Sequence, residues 1–371
     1  MPSFYEFFAG GGMARAGLGS GWSCLLANDV DPVKAAAYEA NWGSGEFRLA
    51  DVRELSCADL PGRADLAWAS FPCQDLSLAG PGAGLAGARS GTFHPFWRLI
   101  RGLAAEGRAP GVVVLENVCG ALTSHGGRDF GAIASLFGEA GYQLGALVID
   151  AALFTPQSRP RLFLIGTSLA IDPALLAPAP TPPFHTPGLQ RAAERRPGLL
   201  WWRLPAPARR NRGLADILEE TPAGVAWHSP AETRRLVSLM SGPSLARLDV
   251  ARHAGRRVVG ALYRRTRPDG KGGRRQRAEA RFDDLAGCLR TPAGGSSRQV
   301  ILVVEGETFR SRLISPRETA RLMGLADDYV LPARYNIAYH LTGDGVVVDV
   351  VRHLANHLLE PLLAPGARAA A

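Results

Sequence analysis

SFYEFFAGGG (residues 3–12) is an apolar, aromatic run that stops in three glycines. Such a run reads as a strand, and glycines at its carboxyl end let backbone approach a ligand at that edge. Outward from it the chain continues as WSCLLAND, DPVKAAAYEANWG, FRLADV, ADLAWASF, RLIRGLAAEG and GVVVLENV. Strand-like and helix-like stretches alternate, a βαβ rhythm that predicts an α/β fold on a doubly wound parallel sheet. LGALVIDAALF and RLFLIGTSL follow with too little chain between them for a helical crossover, so they predict an antiparallel hairpin at the sheet's edge.

From about residue 170 to 300 the chain turns rich in Pro, Gly and Arg, as in APAPTPPFHTP and RPDGKGGRRQR, and reads as a second, irregular module rather than more sheet. The net charge of +8 is concentrated there. Residues 252–281 hold eleven Arg or Lys against Asp269 and Glu279, which leaves the rest of the chain close to neutral. A polyanion would be met locally by such a segment, and a solvated basic loop accounts for it equally well. SPRETARLMGL then reads as a helix whose Ser315 and Glu318 form a capping box with Pro316 at the first turn. The apolar end, GVVVDVVRHLANHLLEPLL, is expected to pack back on the sheet.

With 371 residues and 46% hydrophobic content, the chain can bury a sizeable core. It has neither an apolar run of about 18 residues nor a signal-like start, which points to a soluble, cytoplasmic protein with no membrane partner. Cys24, Cys57, Cys73, Cys119 and Cys288 lack paired spacing and read as free thiols. The histidines show no ligand spacing, so no metal is implied.

Chemistry gathers at the ends of the expected strands. Counting from Gly10, the sixth position is Arg15, so the dinucleotide pattern G-x-G-x-x-G fails. Asp29, about 20 residues beyond the glycines at the end of the second strand, suits both hydroxyls of a ribose. Asp51, after the third strand, is placed for an adenine amino group, and the site looks built for an adenosine without a pyrophosphate. Ser70-Phe71-Pro72-Cys73-Gln74 sets a thiol at the same edge after the fourth strand, and a thiolate suits attack on an electron-poor ring. GPGAGLAGARSG after it reads as a mobile lid or as a plain loop. Glu116-Asn117-Val118 ends the fifth strand with a carboxyl group that can hold or donate a proton. In Gln157-Ser158-Arg159-Pro160-Arg161 the two arginines would share one side of an extended segment, suggesting a ring-oxygen contact and an ion pair to that acid.

In this order, FAGGG, Asp29, Asp51, PCQ, ENV and QxRxR resemble the cytosine-5 DNA methyltransferase family of bacterial or phage type. RLISPRETARLMG is similar to the family's late helix, and Gly343-Asp344-Gly345-Val346 lies where its last cofactor motif falls. The resemblance implies a Rossmann-like mixed seven-stranded sheet with a smaller inserted target-recognition domain. Its divisions would be residues 1–175 for the catalytic and cofactor-binding domain, 176–310 for the insert, and 311–371 for the late helix and the segment returning to the catalytic domain.

The implied reaction moves a methyl group from S-adenosylmethionine to carbon 5 of a flipped-out cytosine in a specific duplex DNA sequence, leaving S-adenosylhomocysteine. Cys73 would add to carbon 6, Glu116 would bind ring N3 and the exocyclic amine, Arg161 would hold the carbonyl oxygen, and Arg159 would support Glu116. Phe8, Ala9, Gly10, Gly11, Gly12, Asp29, Val30, Asp51, Val52, Pro72, Gly343, Asp344 and Val346 would line the cofactor, with Phe8 against the adenine. Met13 stands where the family's glycine motif usually has another glycine, and Asp344 where its last motif usually has asparagine. The family also implies a monomer working on the nucleoid. A tRNA cytosine-5 methyltransferase and a catalytically silent nucleic-acid-binding member share these motifs; the long basic insert favours duplex DNA, and Cys73, Glu116, Arg159 and Arg161 together speak for activity. Thr291-Pro292-Ala293-Gly294-Gly295 reads as a recognition loop or a simple turn.

Overall fold

The computed structural model describes residues 1–72, 90–268, 273–290 and 298–364. Cys73, the glycine-rich stretch up to residue 89 and Thr291–Gly295 lie outside the described residues. The chain divides into two compact units, one of Met1–Asp150, Pro160–Ala208 and Gly345–Ala371, the other of Ala151–Arg159 and Arg209–Asp344. No described helix is long and apolar enough to cross a membrane.

The first unit is built on a seven-stranded sheet of β1 (Ser3–Phe7), β2 (Ser23–Asp29), β3 (Phe47–Leu49), β4 (Leu66–Ala69), β5 (Val112–Val118), β6 (Gln143–Asp150) and β7 (Pro160–Thr167). Their order is β3-β2-β1-β4-β5-β7-β6. β1 to β5 pair in parallel, whereas β7 runs antiparallel to both β5 and β6. The expected hairpin is present with its second strand on the inside, so β6 forms the edge. The helices are α1 (Met13–Leu18), α2 (Pro32–Trp42), α3 (Phe93–Ala105), α4 (Arg128–Glu139) and α5 (Pro187–Ala193).

Alternation along the strands decides what each face meets. Tyr5 and Phe7 of β1 join Ala67, Val113, Leu115 and Leu164 in a core with Phe96, Trp97 and Ile100 of α3 and Phe130, Ile133 and Phe137 of α4. Phe4 and Glu6 face the other way, and Phe4 meets Trp22 edge to face. β5 is almost wholly buried because both faces of a parallel sheet are covered.

The C-terminal segment returns to this unit as helix Val348–Leu354, whose Val351 stands over Gly17 of α1. Arg352 there donates to the carbonyls of Leu18 and Ala16. The returning segment thus packs on α1, where the sequence pattern pointed to the sheet.

The second unit corrects the expectation of an irregular module. It holds a four-stranded antiparallel sheet of β8 (Val258–Pro268), β9 (Arg274–Arg281), β10 (Val300–Glu305) and β11 (Thr308–Leu313), in the order β11-β10-β8-β9. RRQRAEAR conceals a strand because only its alanines face inward: Ala278 and Ala280 join Leu262, Val300 and Leu302 in a core with Met240 and Leu248. Helices α6 (Pro230–Ser238) and α7 (Gly242–Arg252) contribute to that core. Helix α8 (Pro316–Leu322) has the expected capping box at Ser315 and Glu318. Glu318 also forms a two-pronged ion pair with Arg312, at 2.8 and 2.6 Å and fully buried, and accepts the N–H of Glu219. Helix α9 (Tyr335–Asp344) ends the unit, and Val348–Leu354 is therefore α10.

Candidate active site

Parallel strands end at one edge of a sheet, and a strand running the other way begins there. That rule gathers the carboxyl ends of β1, β2, β4 and β5 with the start of β7, where Arg161 lies in register with Val118. Glu116 and Asn117 are neighbours on β5 and so face opposite sides. Glu116 is buried and pairs with Arg161, Nε to Oε1 3.2 Å. Asn117 donates to the carbonyl of Phe71 at 3.1 Å and thereby holds the backbone two residues before Cys73. A second thiol, Cys119, sits just after the motif; burial pushes its pKa up, and the Arg161 cation opposes that shift.

The glycine turn after β1 is bent by residues in the left-handed region: Phe8 at φ 58°, Gly10 at 57° and Gly12 at 77°. A Cβ on Gly12 would collide with the indole of Trp42, so glycine is required by space as well as by φ. Trp42 donates from Nε1 to the carbonyl of Gly11 at 3.1 Å. Its ring is also covered by the Arg15 guanidinium, 5.1 Å from the centroid. Asp29 ties the turn to β2, accepting the N–H of Gly10 at 2.9 Å and of Asp31 at 3.0 Å. Next to it Val30 leaves 62% of its surface exposed, an apolar face at the mouth of a polar turn. Asp51 accepts from the N–H of Arg53 and pairs with its guanidinium at 3.0 Å, while Val52 is buried below. Ala9 is buried and Pro72 half-buried. Bent backbone, an acid at the end of β2 and an open apolar side chain together fit an adenosine-type cofactor.

Beneath the turn lies Glu6, fully buried, with Oε2 unpartnered. Burial pushes its pKa up to about 8 against the pull of the Arg15 and Ala14 backbone amides.

The arginines of QxRxR divide differently from the expectation, which put Arg159 behind Glu116 and Arg161 on the ring oxygen. In the structure Arg161 pairs with Glu116. Arg159, only 2% exposed, donates to the carbonyls of Leu289 at 3.0 Å and Gly343 at 2.8 Å. Gln157 does similar work, donating to Leu322 O and accepting from Leu289 N. Of the last motif, Gly343 and Asp344 close α9, and Val346 is buried. The Met13 thioether lies over Gly345, where a Cβ would overlap its sulfur.

Residues 3–360 match the family model for C-5 cytosine-specific DNA methylase. The chain belongs to that family. Among its relatives, the type II methyltransferase M.HpaII of Haemophilus parainfluenzae is 25% identical over 97% of the chain and 90% of its own length. M.BsuFI of Bacillus subtilis is 32% identical over 44% of the chain, and M.NlaX of Neisseria lactamica is 32% identical over 45%. Those two alignments span 39% and 52% of the relatives' own lengths. The fold also matches the crystal structure of S. pombe Dnmt2 methyltransferase, with a TM-score of 0.65 at 16% identity over 98% of the chain and 99% of that one. A putative DNA modification methyltransferase encoded within an E. coli prophage matches at 0.59 and 16%, over 98% of this chain and 100% of that one.

Three supporting residues escaped the sequence reading. Trp42 had a signal, since Tyr38 and Trp42 are four apart on α2 and so share the helix face that meets the glycine turn. Asn117 lay within a quoted motif without a role. Arg53 gave none, because an arginine two residues past an acid is common on any surface.

Proposed function

We propose that this chain methylates carbon 5 of cytosine in duplex DNA, with S-adenosylmethionine as donor and Cys73 as covalent nucleophile. The observation that carries the reading is the Glu116–Arg161 ion pair, set at the same sheet edge as the glycine turn and one hydrogen bond, Asn117 to Phe71, from the segment leading into Cys73.

The target base leaves the stack, since neither ring face is open to a nucleophile inside the duplex. Glu116 binds ring N3 and the exocyclic amine, and Arg161 orients that carboxyl group and presents its guanidinium to the ring carbonyl oxygen. The Cys73 thiolate then adds to carbon 6, and the electron pair freed in the ring makes carbon 5 nucleophilic. S-adenosylmethionine, when bound, supplies an electrophilic methyl group on a sulfonium. Loss of the carbon-5 proton and expulsion of Cys73 restore the aromatic ring as 5-methylcytosine. The turn Phe8–Gly12, Asp29 with Val30, Asp51 with Val52, and Pro72 would hold the cofactor, with Val346 at its methionine end. Arg159 keeps the segments around Leu289 and Gly343 in place, a positioning role.

The reading is tested by incubating the protein and its Cys73→Ala variant with unmethylated genomic DNA and methyl donor, then sequencing modified cytosines. 5-Methylcytosine in one short context with the protein and none with the variant is the expected result. Cofactor binding without DNA methylation by the unaltered protein overturns it.

A further inference from the structure

The hairpin of β8 and β9 carries arginines along one face. In its register Leu262 lies opposite Ala280, Tyr263 opposite Glu279, and Arg265 opposite Arg277. Side chains alternate, so Leu262, Ala278 and Ala280 turn into the core, whereas Tyr263, Arg265, Arg275, Arg277 and Glu279 share the other face. The contacts agree: Tyr263 donates from its hydroxyl to Glu279 at 2.7 Å, and the Arg265 guanidinium lies 4.7 Å from the Tyr263 ring centroid and 3.7 Å from Glu279.

Of the described residues on this face of the hairpin, Glu279 alone is acidic, and it is engaged by Tyr263 and Arg265. Among the described residues none pairs with Arg275 or Arg277. Like charges set directly opposite in a sheet, as Arg265 and Arg277 are, destabilise it. A polyanion reverses that cost. Side chains two apart on a strand are about 6.8 Å apart, far enough for Arg275 and Arg277 to meet separate phosphates of a nucleic-acid backbone. Repetition of one cation at one spacing suits a repeating backbone, whereas base edges call for varied donors and acceptors.

We propose that this face is a phosphate clamp for the DNA substrate, with Arg265, Arg275 and Arg277 each neutralising a phosphate. It supplies affinity without choosing the sequence. The proposal rests on the reading of duplex DNA as substrate.

The test compares the full chain, the Arg275→Gln, Arg277→Gln double variant and the corresponding double Lys variant. Duplex-DNA affinity is measured from about 50 to 300 mM salt, and the methylated context is sequenced. Loss of two phosphate contacts should lower the slope of log affinity against log salt by about 2 in the Gln variant, with the context unchanged. The Lys variant should keep the slope, which separates charge from altered folding. An unchanged slope overturns the clamp, as does a relaxed context, which would assign these arginines to base readout. If the unaltered protein methylates DNA while the slope is unmoved, the clamp alone fails. If it neither binds nor methylates duplex DNA, the functional reading fails and the clamp with it.

Discussion

Glu116 and Arg161 meet as a 3.2 Å ion pair although 45 positions of chain separate them, because β5 ends where the antiparallel β7 begins. Their side chains keep only 8% and 16% of their exposure. Arg161→Ala therefore strands a carboxylate in a poorly solvated place. The expected cost is about 2 kcal/mol in chemical denaturation, below the roughly 3–5 kcal/mol of a fully buried pair. Methylation should fall by at least about 100-fold, whereas Glu116→Gln should lose activity with little loss of stability.

Trp42→Phe keeps the ring against Gly12 and removes only the Nε1 bond to Gly11 O. A hydrogen bond worth about 0.5–1.5 kcal/mol corresponds to cofactor affinity weakened by about 2- to 12-fold. Equilibrium dialysis with labelled S-adenosylmethionine checks this, and kcat at saturating cofactor should hold.

Gly345→Ala has to displace the Met13 sulfur. Overpacking of this kind costs about 1–3 kcal/mol, and Met13→Ala in the same chain should recover most of it. Thermal unfolding of the two single variants and the double variant reads the coupling directly; additive losses would mean that the two residues do not press on each other.

Glu6 holds its proton to about pH 8 in the fold but to about 4.5 when unfolded. The folded state therefore binds more protons between those values, and stability present below pH 4.5 drains away as pH rises to 8. The slope from this one group is at most roughly 1.4 kcal/mol per pH unit. Unfolding midpoints of Glu6→Gln should vary less across that window than those of the unaltered chain, with the largest gain near pH 8.

The sequence by itself determined the seven strands, the glycine turn and the motifs at the strand ends. Each of these is written in local terms: apolar runs bounded by glycine, an acid or a thiol just past a strand, Ser315 and Glu318 three apart. A strand's period shows which residues reach an edge, so Asp29, Glu116 and Arg161 could be named before their surroundings were known. Tertiary structure alone decided which side chains meet. It put Arg161 rather than Arg159 on Glu116, Met13 over Gly345, and Trp42 on Gly11. It also revealed β9, because two buried alanines between polar residues carry too weak a hydrophobic period to read as a strand until β8 and β10 supply the sheet. Those outcomes depend on strand order and direction across long stretches of chain, and pairing energies of that kind are set by neighbours that no local window contains.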